Sequence, residues 1–280
     1  MRELLGKPVS DAIVASLASE VESLKSRGVV PTLAVVRVGA REDDLAYERG
    51  LKKRFENASC VVKIYELPED VSQEILDATV ASADEDPEID GILMFRPLPK
   101  TLTDKKILDS ISAVKDVDGM GKANMADIFA GAGEGHAPCT AEAVIEMLKF
   151  HGIDIKGKKV TVVGRSLVIG KPVAMLLLKE NATVKVCHTK TEDLRAECQW
   201  ADIVVACAGK AKMLGADYFK PGQIVIDVGM NIDEEGKLCG DVDFAPVSSI
   251  VDAITPVPRG VGSVTTSVLL RAVVENAKLR

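Results

Sequence analysis

Hydrophobic positions along the chain alternate between a helical and a strand rhythm. Within residues 9–25, Val9, Ala12, Ile13, Leu17, Val21 and Leu24 recur at helical spacing. Pro8 suits the first turn of that helix and Gly28 its stop. Residues 32–39, Thr32-Leu33-Ala34-Val35-Val36-Arg37-Val38-Gly39, then read as a buried strand. The pair repeats: a helix over 43–57 with Leu45, Tyr47, Leu51 and Phe55, a strand over 60–67, a helix over 72–83, and a strand over 90–95 stopped by Pro97-Leu98-Pro99. This half predicts an α/β unit of roughly three parallel strands.

The texture changes between residues 115 and 140. Lys115-Asp116-Val117-Asp118-Gly119-Met120 reads as a polar turn, residues 131–135 are glycine-rich, and helix resumes over 141–148. The domain boundary is expected near Cys139. Beyond it, Lys159-Val160-Thr161-Val162-Val163 ends at Gly164, turns through Arg165 and Ser166, and reopens as a helix at Gly170-Lys171-Pro172. Strand, tight turn and helix form the phosphate-cradling corner of a dinucleotide fold, where amide N–H groups and the helix dipole attract a pyrophosphate. The spacing, G-x-S-x-x-x-G-x-P, also fits a strand–turn–helix crossover with no ligand. Further strands are expected over 182–188, 201–207, 223–229 and 250–254, and a closing helix over 264–277.

The second strand of this half ends about 20 residues after the glycine turn, where an NAD site usually carries an acid for the ribose hydroxyls. Here the residues are His188-Thr189-Lys190-Thr191, with Arg165 back in the turn. Hydroxyls and cations suit a 2′-phosphate, so the reading is NADP over NAD; the alternative is ordinary surface charge at a strand end.

Composition narrows the classes. The 280 residues, 47% of them hydrophobic, suffice for two domains, and a net charge of −7 argues against a nucleic-acid partner. Six cysteines without a C-x-x-C pair indicate neither zinc nor a disulfide framework. His136, His151 and His188 are scattered, and no metal site is expected. Apolar runs fall short of a membrane span, and no long apolar stretch follows Met1-Arg2-Glu3-Leu4, so a cytoplasmic protein with no membrane partner is expected.

Eight runs recur in a recognisable order: Pro97-Leu98-Pro99, Lys115-Asp116-Val117-Asp118-Gly119, Pro138-Cys139-Thr140, Val163-Gly164-Arg165-Ser166, Val186-Cys187-His188, Asp227-Val228-Gly229, Gly240-Asp241-Val242-Asp243-Phe244 and Thr255-Pro256-Val257-Pro258. From end to end the chain resembles the methylenetetrahydrofolate dehydrogenase/cyclohydrolase family. The resemblance implies an α/β fold of two domains with a cleft between them. A folate-binding domain would cover 1–139 with the closing helix 263–280 returning to it, and a Rossmann-type NADP-binding domain would cover 140–262. It also implies a homodimer, tetrahydrofolate derivatives as substrates, and hydride transfer from 5,10-methylenetetrahydrofolate to NADP. Tyr47 would stack on the pterin and Asp118 bind its polar edge, as the catalytic pair. Pro97, Leu98, Pro99, Pro256 and Val257 would complete the substrate site. Gly164, Arg165, Ser166, Gly170, His188, Thr189, Lys190 and Met230 would hold the cofactor.

Two departures bear on the family's second activity, hydrolysis of the methenyl product. The family places a lysine four residues after the tyrosine and a glutamine two before the Pro-Leu-Pro run; here they are Leu51 and Phe95. Neither can donate, accept or carry charge. The expectation is a dehydrogenase whose cyclohydrolase step is weak or absent. A helix defect at Gly50 that turned Lys52 or Lys53 into the site would reverse it. Arg96 replaces an apolar residue and Arg259 a glycine, either as cations for a polyglutamate tail or as surface drift. An amino- or keto-acid dehydrogenase of similar build and a non-catalytic NADP-binding protein remain as alternatives.

Overall fold

The computed structural model describes residues 1–133 and 135–280, and only the backbone of Lys105; Glu134 of the glycine-rich stretch lies outside the described residues. In chain order the elements are β1 (Arg2–Glu3), α1 (Gly6–Ser26), β2 (Thr32–Val38), α2 (Glu42–Asn57), β3 (Val61–Leu67), α3 (Gln73–Glu85), β4 (Gly91–Met94), α4 (Lys105–Ser110), α5 (Lys122–Ala130) and α6 (Cys139–Phe150). They continue with β5 (Lys159–Val163), α7 (Gly170–Lys179), β6 (Thr183–Cys187), α8 (Leu194–Trp200), β7 (Ile203–Ala206), β8 (Ile224–Asp227), β9 (Asn231–Ile232), β10 (Leu238–Cys239), α9 (Phe244–Ser248), β11 (Ala253–Ile254) and α10 (Thr265–Ala277). Two compact units divide them, one of Met1–Asp11 with Thr140–Thr265, the other of Ala12–Cys139 with Thr266–Arg280.

The unit of Ala12–Cys139 is built on a parallel sheet ordered β3-β2-β4. Its central strand is almost wholly buried, as its largely apolar run predicts. Ala34, Val36, Ile92 and Met94 pack there with Leu76 and Val80 of α3 and Ile107 of α4. Ser72 caps α3, its side chain accepting from the Ile75 N–H at 3.3 Å, and so fixes where that helix starts. The buried Asn276 of α10 donates to the Asp90 carbonyl at 2.8 Å, tying the closing helix to the entrance of β4.

In the other unit the parallel strands run β1-β11-β8-β7-β5-β6, beside a β9–β10 hairpin. Strand order reverses about β5, whose neighbours are β6 and β7. That reversal leaves a crevice at the carboxyl ends of β5 and β7, the place where open α/β sheets bind ligands.

Two expectations shift. Residues 1–11, expected with the N-terminal domain, join the second sheet's unit because β1 pairs with β11 and the Gly6 N–H donates to the Arg259 carbonyl at 2.8 Å. The strand expected over 250–254 shrinks to Ala253–Ile254, since Ile250 and Val251 still donate to the Val247 carbonyl of the preceding helical turn. No helix among the described residues is long and apolar enough to cross a membrane.

Candidate active site

The expected site residues fall into two groups, one on each unit. In the first group Tyr47 sits on α2 and keeps 41% of its surface exposed. One turn on, Leu51 shares its helix face and is fully buried. Phe95 follows β4, is buried, and brings its ring centroid to 5.5 Å from that of Tyr47 with the planes tilted by 57°. Such a tilted aromatic pair is favourable. It fixes one edge of the tyrosine, which stays partly exposed to solvent.

The helix defect that would redirect Lys52 is not there. α2 runs unbroken through Gly50. The Lys52 ammonium bonds Glu48 Oε1 at 2.7 Å, and Glu48 Oε2 accepts from Arg37 Nε of β2 at 2.9 Å. Arg37 also reaches Glu66 of β3 at 3.1 Å and donates to the Gly39 carbonyl. Burial opposes ionisation of Glu48, but its bonds to Lys52 and Arg37 outweigh that and hold its pKa below the ordinary value. Lys52 therefore belongs to a network that pins α2 to the sheet. Lys53 is exposed.

The loop after Lys115 divides its two acids by role. Asp116 is buried and accepts from the Met120 N–H (3.2 Å), the Gly121 N–H (2.7 Å) and Asn124 Nδ2 (2.9 Å), which folds the loop on itself. Gly119 adopts φ +61°, and a Cβ there would collide with the His136 carbonyl. Asp118 is left half-buried, its Oδ2 3.3 Å from Arg96 Nη2. Lost hydration raises its pKa to about 6, even though the Arg96 charge and the Cys139 N–H pull it down. Pro97 is exposed, whereas Leu98 turns partly onto the sheet's core.

The second group gathers at the carboxyl ends of β5, β6 and β7. Pairing of Val163 with Cys187, continued by the Gly164 N–H to the Cys187 carbonyl at 2.9 Å, sets Gly164, Arg165 and Ser166 beside His188, Thr189 and Lys190. Gly164 lies at φ +138°, where a Cβ would strike the Cys207 carbonyl, and a Cβ on Gly170 would strike the carbonyl of Gly164. At both glycines backbone packs on backbone too closely for any side chain. His188 Nδ1 accepts from the Lys190 N–H at 3.1 Å, and the His188 N–H donates to Thr191 Oγ1 at 2.9 Å, so the loop is a closed turn. Met230 is 73% exposed after β8.

Ser166 corrects one expectation about this corner. Its Oγ accepts from the N–H groups of Ile169 (3.1 Å) and Gly170 (3.4 Å), and its carbonyl accepts from the Lys171 N–H. The first amides of α7 are therefore not free for an anion, because a hydroxyl three residues upstream already caps them.

Sequence reasoning gave no role to the acids behind this edge. Asp241 accepts from the N–H groups of Ala208 (2.5 Å), Gly209 (3.0 Å) and Lys210 (2.9 Å), and so clamps the loop leaving β7. Asp227 accepts from the N–H groups of Gly229, Asp241 and Val242. Burial raises its pKa to about 7 against those three donors. Gly229 and Gly240 lie so close to these carboxylates that a Cβ on either would overlap one. The signal for them was present: each acid lies next to or one residue from a glycine, in Asp227-Val228-Gly229 and Gly240-Asp241.

Comparison with known proteins bears directly on both groups. The family model "Tetrahydrofolate dehydrogenase/cyclohydrolase, catalytic domain" matches residues 4–118, and that of the same family's NAD(P)-binding domain matches residues 138–280. The chain belongs to the tetrahydrofolate dehydrogenase/cyclohydrolase family. Within it, the chain is 50% identical over 278 residues to the bifunctional protein FolD of Carboxydothermus hydrogenoformans, covering 99% of this chain and 97% of that one. The crystal structure of the FolD enzyme of Campylobacter jejuni superposes with a TM-score of 0.97 at 39% identity, over 100% of this chain and 99% of that one. The Trypanosoma brucei FolD structure, complexed with NADP cofactor and inhibitor, gives 0.92 at 35% identity over 98% and 96%. As a member of this family the chain carries a Rossmann-type NAD(P)-binding domain and a domain for tetrahydrofolate derivatives.

Proposed function

We propose that this protein is an NADP-dependent 5,10-methylenetetrahydrofolate dehydrogenase with little or no cyclohydrolase activity. The observation that carries the second half is the apolar pair around Tyr47. Leu51 is fully buried one turn along, Phe95 packs on the tyrosine ring, and Lys52 is held by Glu48. Hydrolysis needs a group that moves a proton to or from water, and neither apolar residue can do so. Oxidation needs none, because the two nitrogens flanking the one-carbon bridge stabilise the developing cation themselves.

On its own unit Tyr47 offers an exposed ring face for the pterin, and Asp118 an ionisable carboxylate for its N–H edge, with Pro97 and Pro99 beside them. On the other unit the tight glycine turn from Gly164 to Gly170 would lie against a dinucleotide. Neither Arg165 nor Lys190 has an acidic partner among the described residues, so both would be available to a 2′-phosphate. With Ser166, His188, Thr189 and Met230 they would hold NADP, and Pro256 and Val257 would border the substrate. The chemistry such a cofactor brings is acceptance of a hydride from the one-carbon bridge. A homodimer is part of the same reading, and sedimentation of the purified chain measures it.

The second reading is a fully bifunctional enzyme, and two relatives at 50% identity, both bifunctional FolD proteins, favour it. The dehydrogenase half is tested by NADPH formation from 5,10-methylenetetrahydrofolate, with NAD in a parallel run. Reduction of NADP at lower cofactor concentration than NAD is expected; reduction of neither would overturn the reading.

A further inference from the structure

Arg96 behaves neither as surface drift nor as an outward-facing cation. Its side chain is only 22% exposed and turns back from the loop after β4 to Asp118, with Nη2 at 3.3 Å from Oδ2. A second acid, Asp104 just before α4, lies 3.9 Å from Nη1. Arg96 is the one cation in ion-pair reach of Asp118 among the described residues. The other groups facing this carboxyl are the negative charge of Asp116 and the Cys139 N–H. Asp116 is already satisfied by Met120, Gly121 and Asn124, so it offers Asp118 repulsion and no donor.

We propose that Arg96 is a positioning residue for Asp118, holding its carboxylate ionised and oriented so that it accepts N–H donors of the reduced-folate ring. The proposal rests on the folate reading above. A half-buried pair separates its charges from water enough to matter, yet one Nη2–Oδ2 contact leaves the second carboxylate oxygen without an arginine bond. With the Cys139 N–H also on this carboxylate, the lone pairs that remain can meet a ligand while Arg96 fixes one oxygen. Without the guanidinium, burial and Asp116 would both favour the protonated acid, which presents an O–H where the ligand offers an N–H.

The test compares wild type, Arg96→Leu and Arg96→Lys across roughly pH 5.5 to 8.5. Arg96→Leu is expected to raise the KM for 5,10-methylenetetrahydrofolate about tenfold at neutral pH, with kcat at saturation within about twofold. The acid limb of kcat/KM should move up by about one pH unit, and Arg96→Lys should restore most of both effects. A carbon-13 NMR titration of the Asp118 carboxyl, assigned against Asp118→Asn, should show its midpoint rising in Arg96→Leu. That titration needs no turnover, so it separates failure of this proposal from failure of the folate reading. If Arg96→Leu fails to fold, Arg96→Gln decides: it removes the charge but keeps a polar side chain, and the Asp118 midpoint should still rise. An unmoved midpoint with an unmoved KM would overturn the proposal. So would a lower KM, which would make Arg96 a competitor for the carboxylate.

Discussion

Tyr47 and Phe95 meet with ring centroids 5.5 Å apart and planes tilted by 57°. The tyrosine proposed to stack on the pterin thus rests against a hydrocarbon ring where the family resemblance implies a hydrogen-bonding amide. Introducing Leu51→Lys with Phe95→Gln is expected to raise enzymatic hydrolysis of the methenyl product by about tenfold or more, read as the decay of its absorbance. No gain from the pair would count against the role given to these positions. Leu51→Lys alone places an ammonium at a fully buried position and should cost about 2–4 kcal/mol of stability in a denaturant titration.

Gly50 lies inside an unbroken α2, and a Cβ there would touch nothing within 4 Å. Gly50→Ala should therefore stabilise the protein by about 0.5–1 kcal/mol, visible as a small rise in Tm, while leaving NADP reduction unchanged. Loss of activity would mean that the helix departs from regularity during turnover.

The Arg37–Glu48 pair is buried on both sides, at 3% and 9% side-chain exposure. Glu48→Gln should destabilise by about 2–4 kcal/mol at neutral pH, because Arg37 keeps only Glu66 and a carbonyl. The folded-state pKa of Glu48 is depressed, so its contribution is present above the ordinary value of 4.5 and is lost as pH falls through the folded-state pKa. The difference between variant and parent should accordingly shrink on acidification, as urea midpoints at several pH values would record.

Arg259 occupies φ +87°, a conformation costly for a residue with a Cβ, and its ion pair with Glu3 is long at 3.5 Å and largely exposed. Arg259→Gly should stabilise by about 1 kcal/mol, measured by thermal unfolding. A destabilised variant would show that the guanidinium makes a contact worth more than the strain.

Arg165 and Lys190 are exposed at the ends of paired strands. Replacing both with alanine should raise the KM for NADP about tenfold or more and that for NAD by about twofold at most. Equal effects on the two cofactors would remove the argument for a 2′-phosphate contact.

Much of this was legible in the chain. The short run at 32–38, apolar but for Thr32 and Arg37, read as a buried strand, and the glycine turn at 164–170 announced its own geometry. The short helices α4, α8 and α9 were invisible because six, seven and five residues do not complete the repeat that reveals a helix. β1 was missed for a different reason: two polar residues, Arg2 and Glu3, form a strand through a partner some 250 residues later. Arg96 was legible as an oddity, but only folding brings it to Asp118, 22 residues on. Lys52 shows the reverse: sequence left it two destinations, and Glu48 one turn earlier chose between them.

On the reading proposed above, oxidation and hydrolysis have come apart in this chain. One time course with purified protein, 5,10-methylenetetrahydrofolate and NADP tests it, following NADPH and the methenyl product separately. The methenyl product is expected to accumulate in step with NADPH and to decay no faster than it does without enzyme. NADPH rising while the methenyl product is drained by the enzyme would contradict it, and would mean that a residue other than Leu51, Phe95 or Lys52 supplies the proton transfer.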